Sequence, residues 1–137
     1  MNKSFLLLCF ICMSSFSYSQ KHFDEISTEF FNKYEYNTEI ALDYIFETNP
    51  WLKENIKGMN NVKSQIKEYE KLIGDYVGYE KISEEILGDS LAYVVYMVKY
   101  DRQPLRFMFQ YYKSKDTWML YNIKYDEGMI DEFKTAN

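Results

Sequence analysis

The stretch YVVYMVKYDRQPLRFMFQYY, residues 93–112, decides the fold of this chain. On both sides of the polar segment 101–104, large apolar side chains recur at every second position, which is the period of a β-strand with one buried face. Proline and its polar neighbours interrupt that pattern and indicate a turn. The stretch therefore predicts an antiparallel hairpin with strands at 91–100 and 105–113.

Two further segments of the same character flank this hairpin. Residues 76–87 and 117–126 are rich in tyrosine, valine and isoleucine, and short turn signals at 88–89 and 114–116 separate them from the hairpin strands. The second half of the chain therefore predicts a meander of four antiparallel strands.

The first half carries the three-and-four spacing of amphipathic helices. Helices are predicted at 23–34, 38–48 and 61–73, with one or two further turns at 51–57, and Gly74 provides a helix end. Helices followed by strands predict an α+β fold, with three N-terminal helices packed on one face of a curved, antiparallel four-stranded meander.

Pairing the strands from their turns divides the last three strands into two faces. In this pairing Phe109 lies opposite Tyr96 and Tyr121, and Tyr112 lies opposite Trp118. The face predicted to be covered by helices carries Val94, Tyr96, Val98, Tyr100, Leu105, Phe107, Phe109, Tyr111, Met119, Tyr121, Ile123 and Tyr125. The opposite face carries Tyr93, Val95, Met97, Lys99, Arg106, Met108, Gln110, Tyr112, Trp118, Leu120, Asn122 and Lys124. The facing of the first strand stays open, because a bulge would reverse it.

The opposite face is predicted to be only half polar. It would expose Met97, Met108, Trp118 and Leu120, and an exposed patch of this kind marks a partner surface. The simplest partner is a second copy of the same chain. We therefore predict a homodimer that forms through this face.

The arginines Arg102 and Arg106 stand close together in a chain that otherwise uses lysine. The predicted pairing places Arg106 between Lys99 and Lys124 on neighbouring strands, with Arg102 in the adjoining loop. Like charges opposite each other are unfavourable unless they share an anion, and a guanidinium binds a carboxylate through two parallel hydrogen bonds.

Two interpretations of this cationic patch stay open. The first is a surface that binds an acidic partner through Lys99, Arg102, Arg106 and Lys124. The second is favoured because exposed charge networks are common. In it the carboxylates come from the chain itself: Glu80, Asp101, Asp126 and Glu127.

The N-terminal segment MNKSFLLLCFICMSSFSYSQ has the layout of a secretory signal peptide. Lys3 precedes an apolar run at 5–13 that is too short to span a bilayer, and Ser17 and Ser19 supply small residues before a cleavage site after Ser19. No small residue directly precedes either cysteine, which argues against lipid anchoring. We predict a signal peptide at 1–19, a single α+β domain at 20–137, a secreted or periplasmic location and no stable membrane anchor.

Composition excludes several chemistries. Both cysteines, Cys9 and Cys12, lie in the predicted signal peptide, so the mature chain would have no thiol and no disulfide. The net charge of −5 argues against binding to nucleic acid or to an anionic membrane. The sequence has no glycine-rich phosphate loop, no Cys/His cluster and no spaced acidic calcium loop, and it therefore predicts neither a cofactor nor a metal. An acidic C-terminal helix is predicted near 126–132.

Four stretches carry a resemblance to a known superfamily. They are ALDYIFETNPW (41–51), LIGDYVGYE (72–80), YDRQPLRFMFQYY (100–112) and TWMLYNIKYD (117–126). The chain resembles the nuclear transport factor 2-like superfamily, and more closely small secreted bacterial proteins of uncharacterised function with that predicted fold. The resemblance implies a cone-shaped fold, also described as cystatin-like, with a pocket between helices and sheet. It also implies, for the enzymes of the superfamily, an aspartate or histidine base inside the cone beside tyrosine hydroxyls. This chain departs from that pattern, because its histidine, His22, stands at the predicted mature N-terminus.

The favoured function is a noncatalytic binding or interaction module. Its helix-covered cavity would take a small apolar or aromatic ligand between Tyr96, Tyr100, Tyr111 and Tyr121, with Trp51 near the mouth. An alternative is an enzyme of isomerase or dehydratase type that uses Asp43 or Glu80 as a base with a tyrosine partner. A third possibility is an accessory protein that binds an acidic partner through the cationic patch.

Overall fold

A computed structural model describes residues 22–135, and four helices precede the sheet, where three helices and one or two further turns were predicted. The predicted signal peptide lies outside the described residues. The elements are α1 Phe23–Tyr36, α2 Thr38–Glu47, α3 Pro50–Glu54, α4 Ile56–Ile73, β1 Tyr76–Leu87, β2 Leu91–Tyr100, β3 Leu105–Lys113, β4 Trp118–Asp126, a 3₁₀ turn Met129–Asp131 and α5 Glu132–Thr135. The strands form one antiparallel sheet in the order β1-β2-β3-β4, which confirms the α+β class and the meander.

Three asparagines divide the helical half into separate helices. The side-chain oxygens of Asn37, Asn49 and Asn55 accept backbone N–H groups at the first turns of α2, α3 and α4. Such caps satisfy N–H groups that have no partner within the helix. Because Asn55 begins a new helix, α4 starts earlier than the predicted residue 61.

The connection from α4 to β1 is hydrogen-bonded to the turn between β2 and β3. Gly74 ends α4 with φ of 93°, and a Cβ added there would lie 2.8 Å from Asp101, so a side chain is excluded. The N–H groups of Asp101 and Arg102 bond to the carbonyls of Asp75 and Ile73. The chain after β2 therefore follows this connection for two residues before it turns into β3.

The observed β2–β3 register differs from the predicted one by two residues. Phe109 lies opposite Val94 instead of Tyr96, and Leu105 lies opposite Val98. A shift of two residues keeps every side chain on its face. The predicted facing of these two strands is therefore confirmed although their pairing was wrong.

A bulge at Tyr121 reverses which side chains face the helices in the first half of β4. Leu120 pairs with Tyr111 and Asn122 pairs with Gln110, which leaves Tyr121 as the extra residue. The physical cause lies in the α2–α3 corner, where Thr48 Oγ1 accepts the N–H of Leu120 at 3.0 Å. At the same residue, Asn49 Nδ2 donates to the carbonyl at 2.8 Å.

The predicted facing of this half-strand is therefore wrong. Trp118 and Leu120 turn into the core, whereas Met119 lies on the opposite side and Tyr121 is 56% exposed. Beyond the bulge, Ile123 and Tyr125 pack against the core as predicted.

Two bulges in β1 settle the facing that the sequence left open. The register shifts at Val77 and at Ile82. Before the second bulge, Lys81 lies opposite Tyr96 on the helix side, and after it Glu85 lies opposite Tyr93 on the outer side. Lys81 then reaches α1, where its Nζ bonds to Asp24 Oδ1 at 2.7 Å.

The core between the helices and the sheet is built largely from aromatic rings. The ring of Phe31 stacks on Tyr79 with centroids 3.9 Å apart, and Phe30 meets Phe109 edge-on at 5.2 Å. Burial of each large side chain contributes roughly 1.5–3 kcal/mol. No helix within residues 22–135 has the length and apolar character needed to cross a bilayer.

Candidate functional site

The five residues predicted to bind a ligand do not come together. Tyr96, Tyr100 and Tyr111 are buried on the helix side of the sheet, whereas Tyr121 is exposed at the β4 bulge and Trp51 is 78% exposed on α3. Sequence periodicity predicted correctly that Tyr96, Tyr100 and Tyr111 face the helices. It could not show the bulge, which depends on contacts with the α2–α3 corner.

The buried tyrosines already have partners for their hydroxyl groups. The hydroxyl of Tyr111 lies 2.7 Å from Ser27 Oγ, and that of Tyr100 lies 2.5 Å from the Tyr34 hydroxyl. Burial raises the pKa of Tyr96 to about 12 and holds the pKa of Tyr111 well above its ordinary value. These hydroxyls therefore remain protonated at neutral pH.

A carboxylate–tyrosine chain lies at one end of the core, and sequence reasoning missed it. Tyr34 donates to Glu70 Oε1 at 2.8 Å, so Tyr100 must be the donor to Tyr34. Thr38 donates to the same Glu70 oxygen at 2.6 Å. This series of hydrogen bonds joins α1, α2 and α4 to β2. Burial raises the pKa of Tyr34 far above its ordinary value. A contact between residues 34 and 70 leaves no local sequence signal.

The two candidate bases lie at the surface. The side chain of Asp43 is 49% exposed and accepts from Lys63 Nζ at 2.5 Å. Glu80 is 55% exposed, and its carboxylate lies 3.9 Å from Lys99 Nζ. Lysine ammonium groups, rather than tyrosine hydroxyls, are thus the partners that the structure places beside these carboxylates.

Arg106 lies at the centre of a carboxylate cluster on the outer face of the sheet, the face away from α1–α4. On β4 it lies opposite Asp126. The prediction that Arg106 lies between Lys99 and Lys124 was therefore wrong. Its Nε and Nη2 donate to the two oxygens of Asp126 at 2.9 and 2.7 Å. Its Nη1 donates to Glu132 Oε1 at 2.9 Å. Hydrogen bonds to Asp126 raise the pKa of Arg106, and the same bonds lower the pKa of Asp126.

The other three cations of the predicted patch occupy neighbouring positions on the strands and in the loop. Lys99 faces Glu80, as described above, and Lys124 is exposed on β4 opposite Met108. Arg102 Nη1 makes one long bond, 3.4 Å, to the Leu72 carbonyl.

Carboxylates of the chain itself therefore neutralise Arg106 and Lys99. Asp126 and Glu80 act as the charge-network interpretation predicted. The other two predicted carboxylates have neutral partners: Asp101 accepts the N–H of Asp75 and Glu127 accepts from Gln103.

A recess of about 430 Å³ opens on the outer face beside Arg106. We call it the outer recess. Its apolar lining comes from Val95, which is 1% exposed, and from the bulged residue Ile82. Ser83 and Tyr93 add hydroxyl groups to the lining.

The remaining lining of the outer recess is charged. Glu85 contributes from β1, Arg106 from β3, and Asp131 and Glu132 from the C-terminal turn and helix. Burial raises the pKa of Tyr93, and the carboxylate of Glu132 adds to this effect while Arg106 opposes it. The sequence analysis missed this recess, because it forms only where the β1 bulge and the C-terminal segment meet the sheet.

Within residues 22–135, no group of three or more histidine, cysteine or carboxylate side chains is arranged to hold a metal ion. Comparison of the chain with protein-family models, with curated proteins and with solved structures gives no match. The outer recess is therefore assigned a role from its geometry and chemistry alone.

Proposed function

We propose that the chain is an exported, noncatalytic binding module of the nuclear transport factor 2-like type, and that its ligand site is the outer recess. The observation that carries this proposal is the open volume of about 430 Å³ on the outer face. Its lining combines the apolar Ile82 and the ring of Tyr93 with convergent hydroxyl and charged groups, and concave sites with convergent polar groups are where small molecules bind.

The helix side of the sheet supports the proposal by contrast. Tyr96 and Tyr111 are buried there among phenylalanine rings, and the Tyr111 hydroxyl is paired with Ser27. A ligand entering among these rings would displace them, and each displacement costs roughly 1.5–3 kcal/mol. A recess that does open on the helix side, where α4 meets Ile123 of β4, is smaller, at about 150 Å³. A ligand entering the outer recess displaces water instead.

The corrected β4 register favours a small ligand over a second copy of the chain. Trp118 and Leu120 are core residues, so two of the four residues predicted to form the partner surface are withdrawn from the outer face, and Met119 takes a place there. Of the remaining apolar residues on that face, Val95 and Met108 are already buried. Homodimerisation through this face therefore loses much of its predicted driving force.

The proposal is tested with residues 20–137 and a neutral amphipathic probe, 2-phenylethanol. At about 0.3 kcal/mol per non-hydrogen atom, a dissociation constant of about 10 mM is expected. Backbone amide shifts should concentrate at Ser83, Tyr93 and Val95. The variant Ser83→Tyr fills the outer recess and should abolish them, whereas the matched control Ser114→Tyr, in an exposed turn, should not.

Shifts concentrated at Phe31 and Tyr111 would place the ligand site between helices and sheet and overturn the proposal. Unchanged binding to Ser83→Tyr would do the same.

A further inference from the structure

The charge of the outer recess points to a class of ligand. Arg106 supplies its guanidinium, but Nε, Nη1 and Nη2 already donate to Asp126 and Glu132. The guanidinium side chain is only 13% exposed. An incoming anion would therefore find the Arg106 guanidinium already bonded. The carboxylates of Glu85 and Asp131 would repel it.

The carboxylates of the recess exceed its cations. Three carboxylates line it, and the one lining guanidinium is shared with Asp126, which lies beside the recess. Asp131 already has two cationic neighbours, because its carboxylate lies 3.7 Å from Arg106 Nη2 and 3.5 Å from Nζ of the exposed Lys134. Glu85 is exposed on the edge strand and adds a negative charge at the rim.

The apolar lining of the outer recess indicates that part of the ligand is uncharged and apolar. The exposed side chain of Ile82 can contact a hydrocarbon stem above the buried Val95, and the ring of Tyr93 offers a face on which a cation is attracted. A long side chain or small amine with an apolar stem and a charged head buries the stem and keeps the head near the carboxylates.

We propose that the outer recess binds an alkylammonium or guanidinium group carried on an apolar stem. This inference rests on the proposed function, because it specifies the ligand of the same recess. The group is either a free amine or the side chain of a basic peptide. The recess holds the stem against β1 and β2 and directs the head toward Glu85 at the rim.

The test compares three probes with one apolar body, namely 2-phenylethylammonium, 2-phenylethanol and phenylacetate. The cation should bind about five- to tenfold more tightly than the alcohol, and phenylacetate should bind more weakly than the alcohol. Glu85→Gln should reduce the preference for the cation by about two- to fivefold and leave the dissociation constant of the alcohol unchanged. The matched control Glu84→Gln should keep the preference, because Glu84 bonds to Lys81 on the helix side of the same strand.

Two further arms distinguish the sources of the cation. Hexylamine represents a free amine, and Nα-acetyl-lysine methylamide represents a peptide side chain. Binding of either probe supports the shared chemistry. The probe that binds more tightly of the two identifies the source of the cation. Both should displace 2-phenylethylammonium from the parent chain and fail to bind Ser83→Tyr.

Each contrary result has a distinct meaning. If the alcohol binds in the outer recess and the ammonium probe binds no more tightly, the inference is wrong and the proposed function survives. If no probe shifts the recess amides, both are wrong. If Glu85→Gln keeps the full preference for the cation, the attraction comes from the overall negative charge of the protein rather than from the recess, and the inference is again overturned.

Discussion

Replacing Arg106 with methionine should release the C-terminal segment from the sheet. The substitution keeps an apolar stem of similar length and removes the guanidinium. That group is the common hydrogen-bond donor to Asp126 on β4 and to Glu132 on α5. Its loss therefore separates two elements that are otherwise joined by a short turn.

The expected cost follows from the exposure of the two carboxylates. The Asp126 side chain is 43% exposed and can recover water, so its share is about 0.5–1 kcal/mol. The Glu132 side chain is 15% exposed and would lose a charged partner in a largely dry position, so its share is about 1.5–2 kcal/mol. Together Arg106→Met should lower the free energy of unfolding by about 2–3 kcal/mol.

Urea unfolding followed by tryptophan fluorescence measures this change. With a slope of about 1–3 kcal/mol per molar urea, the midpoint should fall by about 1–2 M. In the variant, hydrogen exchange of the backbone amides at 129–135 should become faster, whereas exchange in β2 should change much less. The matched control is Arg102→Met, which removes one long hydrogen bond and should cost less than about 0.5 kcal/mol. Equal losses in the two variants would refute the argument that Arg106 holds the segment.

Three further predictions concern other contacts. Asn49→Ala should lower the free energy of unfolding by about 2–3 kcal/mol in urea titration, because the buried side chain both caps α3 and bonds to the Leu120 carbonyl. Ser27→Ala should cost about 1–3 kcal/mol by leaving the buried Tyr111 hydroxyl without its partner, and a double-mutant cycle with Tyr111→Phe should recover part of the loss. The lowered pKa of Asp126 stabilises the fold at pH values above the unfolded-state pKa of about 3.9, and this contribution should disappear as pH falls through the folded-state pKa. Urea midpoints of the parent chain should therefore decline more steeply with acid than those of Asp126→Asn.

Controls for these predictions come from neighbouring residues. Asn61→Ala on the exposed side of α4 and Thr28→Ala on the exposed side of α1 should each change the free energy of unfolding by less than about 0.5 kcal/mol. A loss at Asn61 equal to that at Asn49 would contradict the role of the α2–α3 corner. Parallel acid profiles for the parent and Asp126→Asn would contradict the assignment of the lowered pKa.

The strands could be predicted because their signal is local. Alternation in 93–112 set β2 and β3, and the observed bounds of β1 are those expected. Facing was correct wherever the strand is regular. It failed from Trp118 to Tyr121, because the bulge at Tyr121 depends on Thr48 and Asn49, more than seventy residues earlier in the chain.

The candidate site shows the same limit. The sequence identified Arg106 as unusual and Asp126 as a possible partner, because both lie in or beside predicted strands. It did not identify Glu132, whose position depends on the turn at Gly128, where the N–H bonds back to Asp126. The outer recess could not be predicted for that reason, since its wall belongs to this returning segment.

The irregular edges of the sheet affect how the protein behaves at high concentration. Aromatic residues make up 19% of the chain, a composition that invites stacking of strands from different molecules. Such stacking needs a long, straight, unpaired edge. The β1 edge is broken at Val77 and Ile82, and the β4 edge is occupied at Leu120 by side chains of the α2–α3 corner. Neither border offers a continuous template to a neighbouring molecule, so the folded protein should resist fibril growth until one of these interruptions is removed.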